Sequence, residues 1–502
     1  MAATLEEGGH KVEMLINSNY KEYAHQRHGG HRRIVVKQMV FQAPKDFTPI
    51  CDRHNIPFML TTPTAHRFNQ LMETFQRYCE AILSDQLLML KLKQRNFDLF
   101  IFDSLDPCGR ILADYLDVPV IPLMTTGLGH WDGNPRPPSY VPSALSTFTP
   151  SMTFYQRTLN LLLKVMYDVL PVVVGFDEPF EKMKQKYNLN TSLALSKTFN
   201  RATLKFVNSD FALEYPSPIE PDTIMVGGYS IDPPTELKDD WKDILDNSGP
   251  AGIIVFSFGT LISEYSSDYI KIFLDAFARF PQTVIWRNGN ASMVLPHEVP
   301  RNVIMMPWIP QNALLALPNT RLFITHCGLN GAMEAAFFGV PVVAIPIADD
   351  QYNHANKLVN HLDMGVQLDL KTLTTDTMYR AMETVLNDTT YSDNAQKVSA
   401  VFMDQPVGKR EVIRYWVDWV LRHKGAPHLR SVAHQLTWYQ YQSLDCLTFL
   451  ICFVAAMTWS LAVLCRRLIS RLLLVFCKHA NQILDKLFEP DSHYDDNLKK
   501  VE

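Results

Sequence analysis

Short apolar runs alternate with helical patterns over most of the chain, most clearly between residues 303 and 358. Residues 322–325 and 342–345 are unbroken apolar runs, the pattern of parallel strands that are covered on both faces. A helix is predicted between them, beginning near Gly328. His326 therefore follows the carboxyl end of one strand and precedes a helix N-terminus. Free backbone N–H groups and the helix dipole make this place suitable for an anionic phosphate group.

Side chains suited to a nucleotide and a sugar lie on both sides of this position. Trp308 offers a flat apolar face for a base, and the Gln311 amide can bond the base edge or the ribose. Glu334 lies one turn into the helix, where its carboxylate can accept hydrogen bonds from two ribose hydroxyls. Asp350 and Gln351 follow the next strand and suit sugar hydroxyls. The pattern predicts base, ribose, phosphate and sugar in order along one sheet edge.

The alternation of strand and helix patterns extends to both halves of the chain. Strands are predicted at 34–42, 97–103, 118–123, 253–258, 283–287 and 303–306, and helices at 65–93, 110–116 and 403–421. This order predicts an α/β fold with doubly wound parallel sheets. The polar, proline-bounded segment 233–250 is the best candidate for a linker. A chain of 502 residues is too long for one ordinary core, so two domains are expected.

The composition and the motifs of the chain argue against several classes of function. The net charge of −5, with 47% hydrophobic residues, gives no indication of nucleic-acid binding. No Gly-x-Gly-x-x-Gly turn occurs, which disfavours an unrelated dinucleotide enzyme. The eight cysteines show no metal-binding spacing. Cys51, Cys79, Cys108 and Cys327 are expected to be free buried thiols, with pairing in an oxidising compartment as the alternative and no pair singled out.

A membrane anchor is predicted near the C-terminus. Residues 446–465 contain no charged side chain over a length that can span a bilayer. Arg466, Arg467, Arg471 and Lys478 follow, which places the tail on the cytosolic side. The apolar segment 154–174 is not expected to span, because charged residues interrupt it and Pro171 is expected to break the helix.

Three motifs, Trp308–Asn312 (WIPQN), 325–335 (THCGLNGAMEA) and 339–351 (GVPVVAIPIADDQ), closely resemble the signature of membrane UDP-glycosyltransferases, the UDP-glucuronosyltransferase family. The resemblance extends over nearly the whole chain. It implies two facing doubly wound domains of the GT-B type. It also implies inverting transfer of a sugar from a UDP-sugar to a hydroxyl of a small lipophilic acceptor. No Asp-x-Asp occurs, so no metal is expected, and the UDP-sugar is a co-substrate with no further cofactor.

The resemblance assigns roles along the donor site. Uridine is held at Trp308 and Gln311, ribose at Glu334, and the sugar at Asp350 and Gln351. The remaining donor-binding positions, including those of the diphosphate, are Ser257, Gly259, Thr260, Arg287, His326, Gly328, Asn330 and Gly331. Two residues depart from the family pattern, Cys327 where a glycine is usual and Asp349 where a small residue is usual. The first puts the tightness of the phosphate turn in question, and Gln351 favours glucuronic acid or glucose over galactose.

The resemblance implies that Asp103 orients a catalytic histidine, the general base for the acceptor hydroxyl. The alternative for Asp103 is a cap on the following helix, and Asp106 is expected to be solvated. The N-terminus resembles the family's first helix, without the leader, first strand and histidine turn that precede it there. His10 lies in a turn that is expected to be structural. A catalytically silent UDP-sugar-binding paralogue or truncated isoform is therefore the second hypothesis.

The expected organisation follows from the resemblance. Residues 1–235 form the acceptor-binding domain lacking its first strand, 236–250 the linker, 251–430 the UDP-sugar-binding domain, 446–465 the transmembrane helix and 466–502 the cytosolic tail. The segments 126–151 and 154–174 are expected near the acceptor and the membrane. Lys499 and Lys500 resemble an endoplasmic-reticulum retrieval signal, and glycosylation sequons begin at Asn190, Asn290 and Asn387. Lumenal domains are expected if a leader precedes this sequence, and oligomers with related transferases are possible partners.

Overall fold

The structure is a computed structural model that describes residues 1–18, 37–42, 64–129, 133–144, 146–173, 175–189, 202–231, 237, 239–260, 262, 265–289 and 298–488. The chain divides into two compact units, Met1–Ser431 and Val432–Glu502. The first unit contains all of the described β-strands, and the second contains the long apolar helix near the C-terminus.

The described strands are β1 (Glu13–Asn17), β2 (Lys37–Phe41), β3 (Phe100–Asp103), β4 (Val120–Met124), β5 (Lys205–Val207), β6 (Thr223–Met225), β7 (Ile253–Ser257), β8 (Thr283–Arg287), β9 (Val303–Met306), β10 (Thr320–Thr325), β11 (Val342–Ala344) and β12 (Gly365–Gln367). The α-helices are α1 (Ala2–Glu7), α2 (Thr64–Ser84), α3 (Gln86–Gln94), α4 (Pro107–Leu116), α5 (Phe154–Val173), α6 (Glu178–Lys186), α7 (Asp239–Asn247), α8 (Ser267–Phe277), α9 (Gln311–Leu315), α10 (Leu329–Phe338), α11 (Gln351–Asn356), α12 (Thr375–Asn387), α13 (Thr389–Met403), α14 (Lys409–His423), α15 (Trp438–Tyr441) and α16 (Leu444–Leu487).

The second half of the first unit is built on one six-stranded sheet in the order β12-β11-β10-β7-β8-β9. All of its neighbouring strands are parallel, and β10 pairs with both β7 and β11. The apolar runs that predicted its central strands are buried, as expected for a sheet covered on both faces. The predicted doubly wound order is confirmed here, because the chain starts in the middle and winds outward to each edge.

The first half contains two separate parallel sheets. One has four strands in the order β3-β4-β5-β6, and the other pairs β1 with β2. The predicted strand 34–42 is confirmed from Lys37 onward, and its first residues lie outside the described part of the chain. Strand β3 begins at Phe100, later than predicted, and ends at Asp103 as expected. The α/β class with parallel sheets is therefore confirmed in both halves.

Two segments near the domain boundaries differ from the sequence expectation. The polar segment proposed as a linker contains the helix α7, whose Trp241 and Ile244 pack against the second-half core. The predicted helix 403–421 is two helices, because α13 ends at Met403 and α14 begins at Lys409. Helix α14 packs on the first half through Ile413, among others.

Two further expectations in the first half are wrong. Cys79 and Cys108 form a disulfide between α2 and α4, where free thiols were expected. Sequence spacing could not select this pair, because it depends on how two helices pack. Pro171 also lies inside the last turn of α5 and does not break it. Cys327 is free and buried as expected, and Cys51 lies outside the described residues.

The second unit is dominated by α16. This helix has 44 residues and is long and apolar enough to cross a membrane. None of the 18-residue window that meets this criterion is buried. The predicted span 446–465 lies within its first half.

Candidate functional site

The candidate site lies at the carboxyl edge of the six-stranded sheet. Strands β7 and β10 are neighbours at its centre, where the winding direction changes. Ser257 ends β7, and His326 follows Thr325 at the end of β10. In an open α/β sheet this switch point is where ligands bind. The topology therefore brings the loop after β7 and the loop after β10 together.

The two loops meet at the ring of His326. Gly259, which has a φ of +71°, lies on the β7 side, and Gly328 lies on the β10 side. A Cβ added at Gly259 would come within 2.7 Å of the ring, and one at Gly328 within 2.6 Å. Both glycines are therefore required for the histidine to occupy this place. At Gly331 a Cβ would meet only ordinary contacts, so close approach does not explain that glycine.

His326 is neutral in the free protein. Burial, together with His354 and Arg287, lowers its pKa to about 4. Its Nδ1 atom is buried and has no hydrogen-bond partner among the described residues. An imidazole in this state has one N–H to donate, and a nearby anion would favour the protonated ring with two.

The turn after β10 is formed despite the cysteine at its centre. Cys327 adopts a φ of +62°, which costs a non-glycine residue roughly 1–2 kcal/mol. Its amide donates to Thr325 Oγ1 at 3.1 Å, and its carbonyl oxygen lies 3.2 Å from His354 Nδ1. Because a carbonyl only accepts, His354 Nδ1 carries the hydrogen. Burial raises the pKa of the Cys327 thiol, which keeps it uncharged.

An aromatic platform lies beside this turn. Trp308 follows β9, and the guanidinium of Arg287 lies over its ring, 5.5 Å from the centroid. Arg287 also donates to the carbonyl oxygen of Gly259, so it connects the platform to the phosphate-side loop. The Trp308 side chain is 53% exposed, which leaves it accessible to a further planar ring.

Gln311 and Glu334 form a pair next to this platform. The side-chain amide of Gln311, the first residue of α9, donates to the Glu334 carboxylate on α10. Burial raises the pKa of Glu334 to about 7, although the bond from Gln311 lowers it. Its carboxyl group is consequently poised between its charged and neutral forms at neutral pH.

The Asp350–Gln351 segment opens α11. The side-chain oxygen of Gln351 accepts from the amides of Ile347 at 2.8 Å and Ala348 at 3.1 Å. These bonds hold the loop 347–351 together. They use only the side-chain oxygen of Gln351, so its NH₂ group can donate to a ligand. Asp349 has a φ of +56°, and its carboxylate accepts from Arg67 of the first half at 2.9 Å.

The remaining predicted donor residues sit around this centre. Thr260 is exposed in the loop after β7, and Asn330 lies in the first turn of α10. The Nδ2 group of Asn208 donates to Asn330 Oδ1 at 3.2 Å. The predicted donor-binding residues therefore lie at strand ends, in the loops that follow the strands and in the helices that these loops open.

Asp103 ends β3, and Asp106 follows it three residues later; the structure assigns the helix cap to Asp106, where Asp103 had been the alternative for that role. Asp106 was expected to be solvated, yet it caps α4 by accepting from Cys108 N at 2.9 Å, and burial raises its pKa to about 6. Asp103 does not cap the helix. Its carboxylate accepts from Leu105 N at 3.0 Å and from Thr125 Oγ1 at 3.1 Å. Although Asp103 reaches the surface, desolvation by the surrounding protein raises its pKa, against these hydrogen bonds.

Sequence reasoning missed the polar groups that join the two halves. Lys357 contacts Glu214 at 2.5 Å, and Ser209 Oγ donates to the same carboxylate at 2.6 Å. Burial alone would raise the pKa of Glu214, but Lys357 makes the net shift downward. Lys357 is one helical turn beyond His354, so helical spacing from Asp350 could have indicated it. No local signal marks Glu214, because its partner is distant in sequence.

Parallel α/β sheets in both halves of one chain, with candidate nucleotide-binding groups at the switch point of the six-stranded sheet, define a glycosyltransferase of the GT-B class. The chain belongs to the family described as "UDP-glucoronosyl and UDP-glucosyl transferase", whose sequence model matches residues 3–479. This confirms the resemblance found in the three sequence motifs.

Individual relatives agree with this assignment. The chain is 34% identical to the human (Homo sapiens) UDP-glucuronosyltransferase 2A3 over 399 residues, covering 77% of this chain and 73% of that protein. It is 32% identical to the mouse (Mus musculus) UDP-glucuronosyltransferase 1A6 over 462 residues, covering 90% and 85%. A UDP-glucose:anthocyanidin 3-O-glucosyltransferase, solved in complex with UDP, is similar in fold with a TM-score of 0.55 and 15% identity, over 84% of this chain and 94% of that one.

Proposed function

We propose that this protein transfers a sugar from a UDP-sugar to a hydroxyl group of a small lipophilic acceptor, with inversion at the anomeric carbon. One observation carries the proposal. A stacking surface at Trp308, a carboxyl–amide pair at Glu334 and Gln311, and a buried neutral His326 converge at one sheet edge. These are the chemical partners of a base, a ribose and a diphosphate.

The base, ribose and diphosphate of the donor bind to these groups in that order, and the sugar follows. Uracil stacks on Trp308, with Arg287 on the ring beside it. The ribose hydroxyls donate to Glu334, which must be ionised to accept both of them. The sugar takes hydrogen bonds from the NH₂ group of Gln351 and donates to Asp350. This pairing supports glucuronic acid or glucose as the sugar.

The diphosphate lies between the two loops that enclose His326. The N–H groups at the start of α10 and the loop Ser257–Thr260 face the same edge of the sheet. As the bond from the anomeric carbon to UDP breaks, charge develops on the leaving diphosphate. His326 stabilises that charge by donating a hydrogen bond, and the preorganised turn costs little reorganisation. The sequence carries no Asp-x-Asp, so we propose a reaction without a metal.

The acceptor approaches from the first half. Its oxygen forms the new bond to the face of the anomeric carbon opposite UDP, and its proton passes to a base. Asp103 is the proposed orienting carboxylate for that base, fixed by Leu105 and Thr125. Helix α5 exposes apolar side chains such as Phe154 and Leu162, which supports a lipophilic acceptor and contact with a bilayer.

A second candidate, a binder of UDP-sugars without turnover, is favoured by one specific observation. The described hydrogen bonds of the Asp103 carboxylate come from a backbone amide and a threonine hydroxyl. Neither group can act as a general base. The two candidates share the donor site and differ only in whether the acceptor loses its proton.

The test offers the full chain UDP-glucuronic acid or UDP-glucose with a panel of phenols. Calorimetry measures UDP affinity, and mass spectrometry measures product. Transfer that Asp103→Asn reduces by about 10²–10⁴-fold, with unchanged UDP affinity, supports the transferase. UDP binding without any product favours the silent binder. Absence of UDP binding contradicts both.

We also propose a single-pass protein of the endoplasmic reticulum with lumenal domains and a cytosolic tail. The Cys79–Cys108 disulfide supports an oxidising compartment, and the arginines after the apolar part of α16 support a cytosolic tail. The sequon at Asn387 lies on the surface, where α12 ends. Endoglycosidase treatment should increase gel mobility, and Asn387→Gln should reduce that shift. A native protein that endoglycosidase leaves unchanged contradicts the lumenal placement.

A further inference from the structure

Helix α16 is much longer than a bilayer requires. Its 44 residues extend about 66 Å at a rise of 1.5 Å per residue, whereas a hydrocarbon core is about 30 Å thick. Roughly half of the helix therefore lies beyond a span that starts near Leu444. Nothing in the proposed transfer reaction uses this second half.

The pattern of side chains changes at Arg466. Before it the helix is apolar on every side, as a spanning helix is. After it, the residues separate into two faces. On a helical wheel the apolar face is formed by Ile469, Leu472, Leu473, Phe476, Ala480, Ile483, Leu484 and Leu487. The opposite face is formed by Arg467, Ser470, Arg471, Lys478, Asn481, Gln482 and Asp485, with Leu474 and Val475 as apolar exceptions.

The apolar face is open to its surroundings. Phe476 is 79% exposed and Leu472 is 69% exposed. An amphipathic helix with a basic polar face is typical of segments that lie in a membrane interface. A face of this width, with three to four apolar residues every two turns, is broader than the two-per-heptad seam of a coiled coil.

The charge of the segment selects its partner. Between residues 468 and 488, three basic side chains, Arg471, Lys478 and Lys486, accompany one acidic side chain, Asp485, and Arg466 and Arg467 directly precede them. Two parallel copies would bring these positive charges together without matching acids. An anionic lipid surface attracts them, and each basic residue near such a surface contributes about 1 kcal/mol.

We propose that residues 468–488, here called the surface segment, lie along the membrane surface with the apolar face in the lipid, and that anionic phospholipids hold it there. The proposal rests on the membrane anchor proposed above. The structure has α16 as one continuous helix, so the proposal requires its axis to bend near Arg466, at the end of the span. The surface segment then covers the leaflet into which the span emerges.

Spin labelling of the full chain in vesicles tests the proposal. Cys446, Cys452, Cys465 and Cys477 are replaced by serine, and single cysteines are introduced by Phe476→Cys, Ile483→Cys, Leu474→Cys and Asn481→Cys. Accessibility to oxygen, which dissolves in lipid, is compared with accessibility to a water-soluble nickel complex. Vesicles contain phosphatidylcholine alone or with phosphatidylserine.

With phosphatidylserine, we expect oxygen to dominate at positions 476 and 483 and the nickel complex at 474 and 481. Leu474 and Phe476 provide a matched pair, since both are apolar but lie on opposite faces. Phe476→Glu should release a label at position 483, whereas Leu474→Glu should not. Equal accessibility at all four positions overturns the proposal, and so does the same pattern with phosphatidylcholine alone. Magnetic coupling between labels of two copies assigns the face to self-association instead.

A further experiment distinguishes a wrong proposal for the surface segment from a wrong proposal for the membrane anchor. Extraction at alkaline pH leaves a spanning protein in the membrane whatever the tail does. A protein that resists extraction but shows no facial pattern retains the anchor and contradicts only the surface segment. A protein that is extracted contradicts the anchor and the segment together.

Discussion

The two halves of the globular unit are built on different kinds of sheet. The second half has six parallel strands in one continuous sheet, with the switch point between β7 and β10 at its centre. The first half divides its parallel strands between a four-stranded and a two-stranded sheet. The candidate donor groups belong to the continuous sheet. Asp103, which is proposed to act on the acceptor side, belongs to the four-stranded sheet of the first half.

The halves also differ in where they bury charge. Among the described residues, the buried lysine and arginine of the second half are Lys357 and Arg287, both at the site. In the first half, Glu214 is paired with Lys357 of the second half, but the buried lysines are paired with carboxylates of their own half. Lys205 contacts Asp222 at 3.0 Å, and each side chain is 3% exposed. Lys184 is fully buried as well.

The comparison suggests that buried apolar side chains hold the donor site in place, whereas the stability of the first half depends on the pairing of its buried charged side chains. An ion pair in a low-dielectric interior adds little net stability, but losing one partner is costly. Substitutions in the first half should therefore alter folding, and those at the second sheet edge should alter UDP binding. The predictions that follow test this division, beginning with the largest effect.

Removing one member of the buried pair should have the largest effect. Lys205→Met leaves the Asp222 carboxylate buried without its cation, which should cost about 3–5 kcal/mol of stability. Urea unfolding measures the loss. Hydrogen exchange should locate it in β5 and β6, with β7 and β10 unaffected.

Two controls isolate the effect of pairing. The double variant Lys205→Met with Asp222→Leu should recover most of the stability, because no unpaired charge remains. Lys271→Met removes one partner of an exposed pair at 2.6 Å and should change stability by less than about 1 kcal/mol. Equal losses at Lys205 and Lys271 would contradict the proposed contrast.

The ribose contact should give the next largest effect. Glu334→Ala should weaken UDP binding by about 1.5–3 kcal/mol, because charge-assisted hydrogen bonds are lost. Titration calorimetry on the full chain measures the affinity. Glu298→Ala, an exposed carboxylate of the same half, is the control and should leave affinity unchanged. Unchanged UDP affinity in Glu334→Ala would remove Glu334 from the ribose site.

The pH dependence of UDP binding should be a smaller effect of the same carboxylate. The pKa of Glu334 is about 7 in the free protein, and two donated hydroxyl hydrogens favour the ionised form, so the pKa falls on binding. This contribution to affinity is present above the free pKa and is lost as pH decreases below it. Between pH 8 and 6 the ionised fraction falls roughly tenfold.

Glu334→Gln separates this effect from other titrations. The ratio of wild-type to variant affinity should decrease as pH falls, while titration of UDP itself cancels. His326 works in the opposite direction, since a bound diphosphate raises its pKa from about 4, but it should do so equally in both proteins. A ratio that stays constant between pH 8 and 6 would show that Glu334 does not titrate on binding.

The donor edge could be predicted from the sequence because its signals are local. The apolar runs of β10 and β11 and the Gly328 turn lie within one short segment, so the end of β10 placed His326 before the start of α10 and Glu334 within that helix. Of the two errors at α4, only one depends on residues that are distant in sequence. The Cys79–Cys108 pair needed the packing of two helices, whereas the cap at Asp106 had a local signal, an aspartate directly before Pro107 at the first helical position.

The contacts between the halves were beyond sequence reasoning for the same reason. Glu214 and Lys357 are far apart in the chain, and although helical spacing could have indicated Lys357, no local signal marks its partner Glu214. The pairing of Arg67 with Asp349 is likewise visible only in the fold. Sequence therefore supplied candidate site residues in each half, but not the contacts between the halves.

The smallest effect is expected at the exposed contact between the halves. Arg67 and Asp349 are 2.9 Å apart, but the aspartate side chain is 52% exposed, so water and salt screen the pair. Arg67→Ala should change stability by less than about 1 kcal/mol, and the change should decrease further at high salt. Lys357→Met, which breaks the buried contact with Glu214, should cost several times more, because it leaves a buried carboxylate unpaired. Both variants are measured by urea unfolding at low and high salt. A larger loss in Arg67→Ala than in Lys357→Met would mean that the exposed edge, rather than the buried network beside the phosphate turn, holds the two halves together.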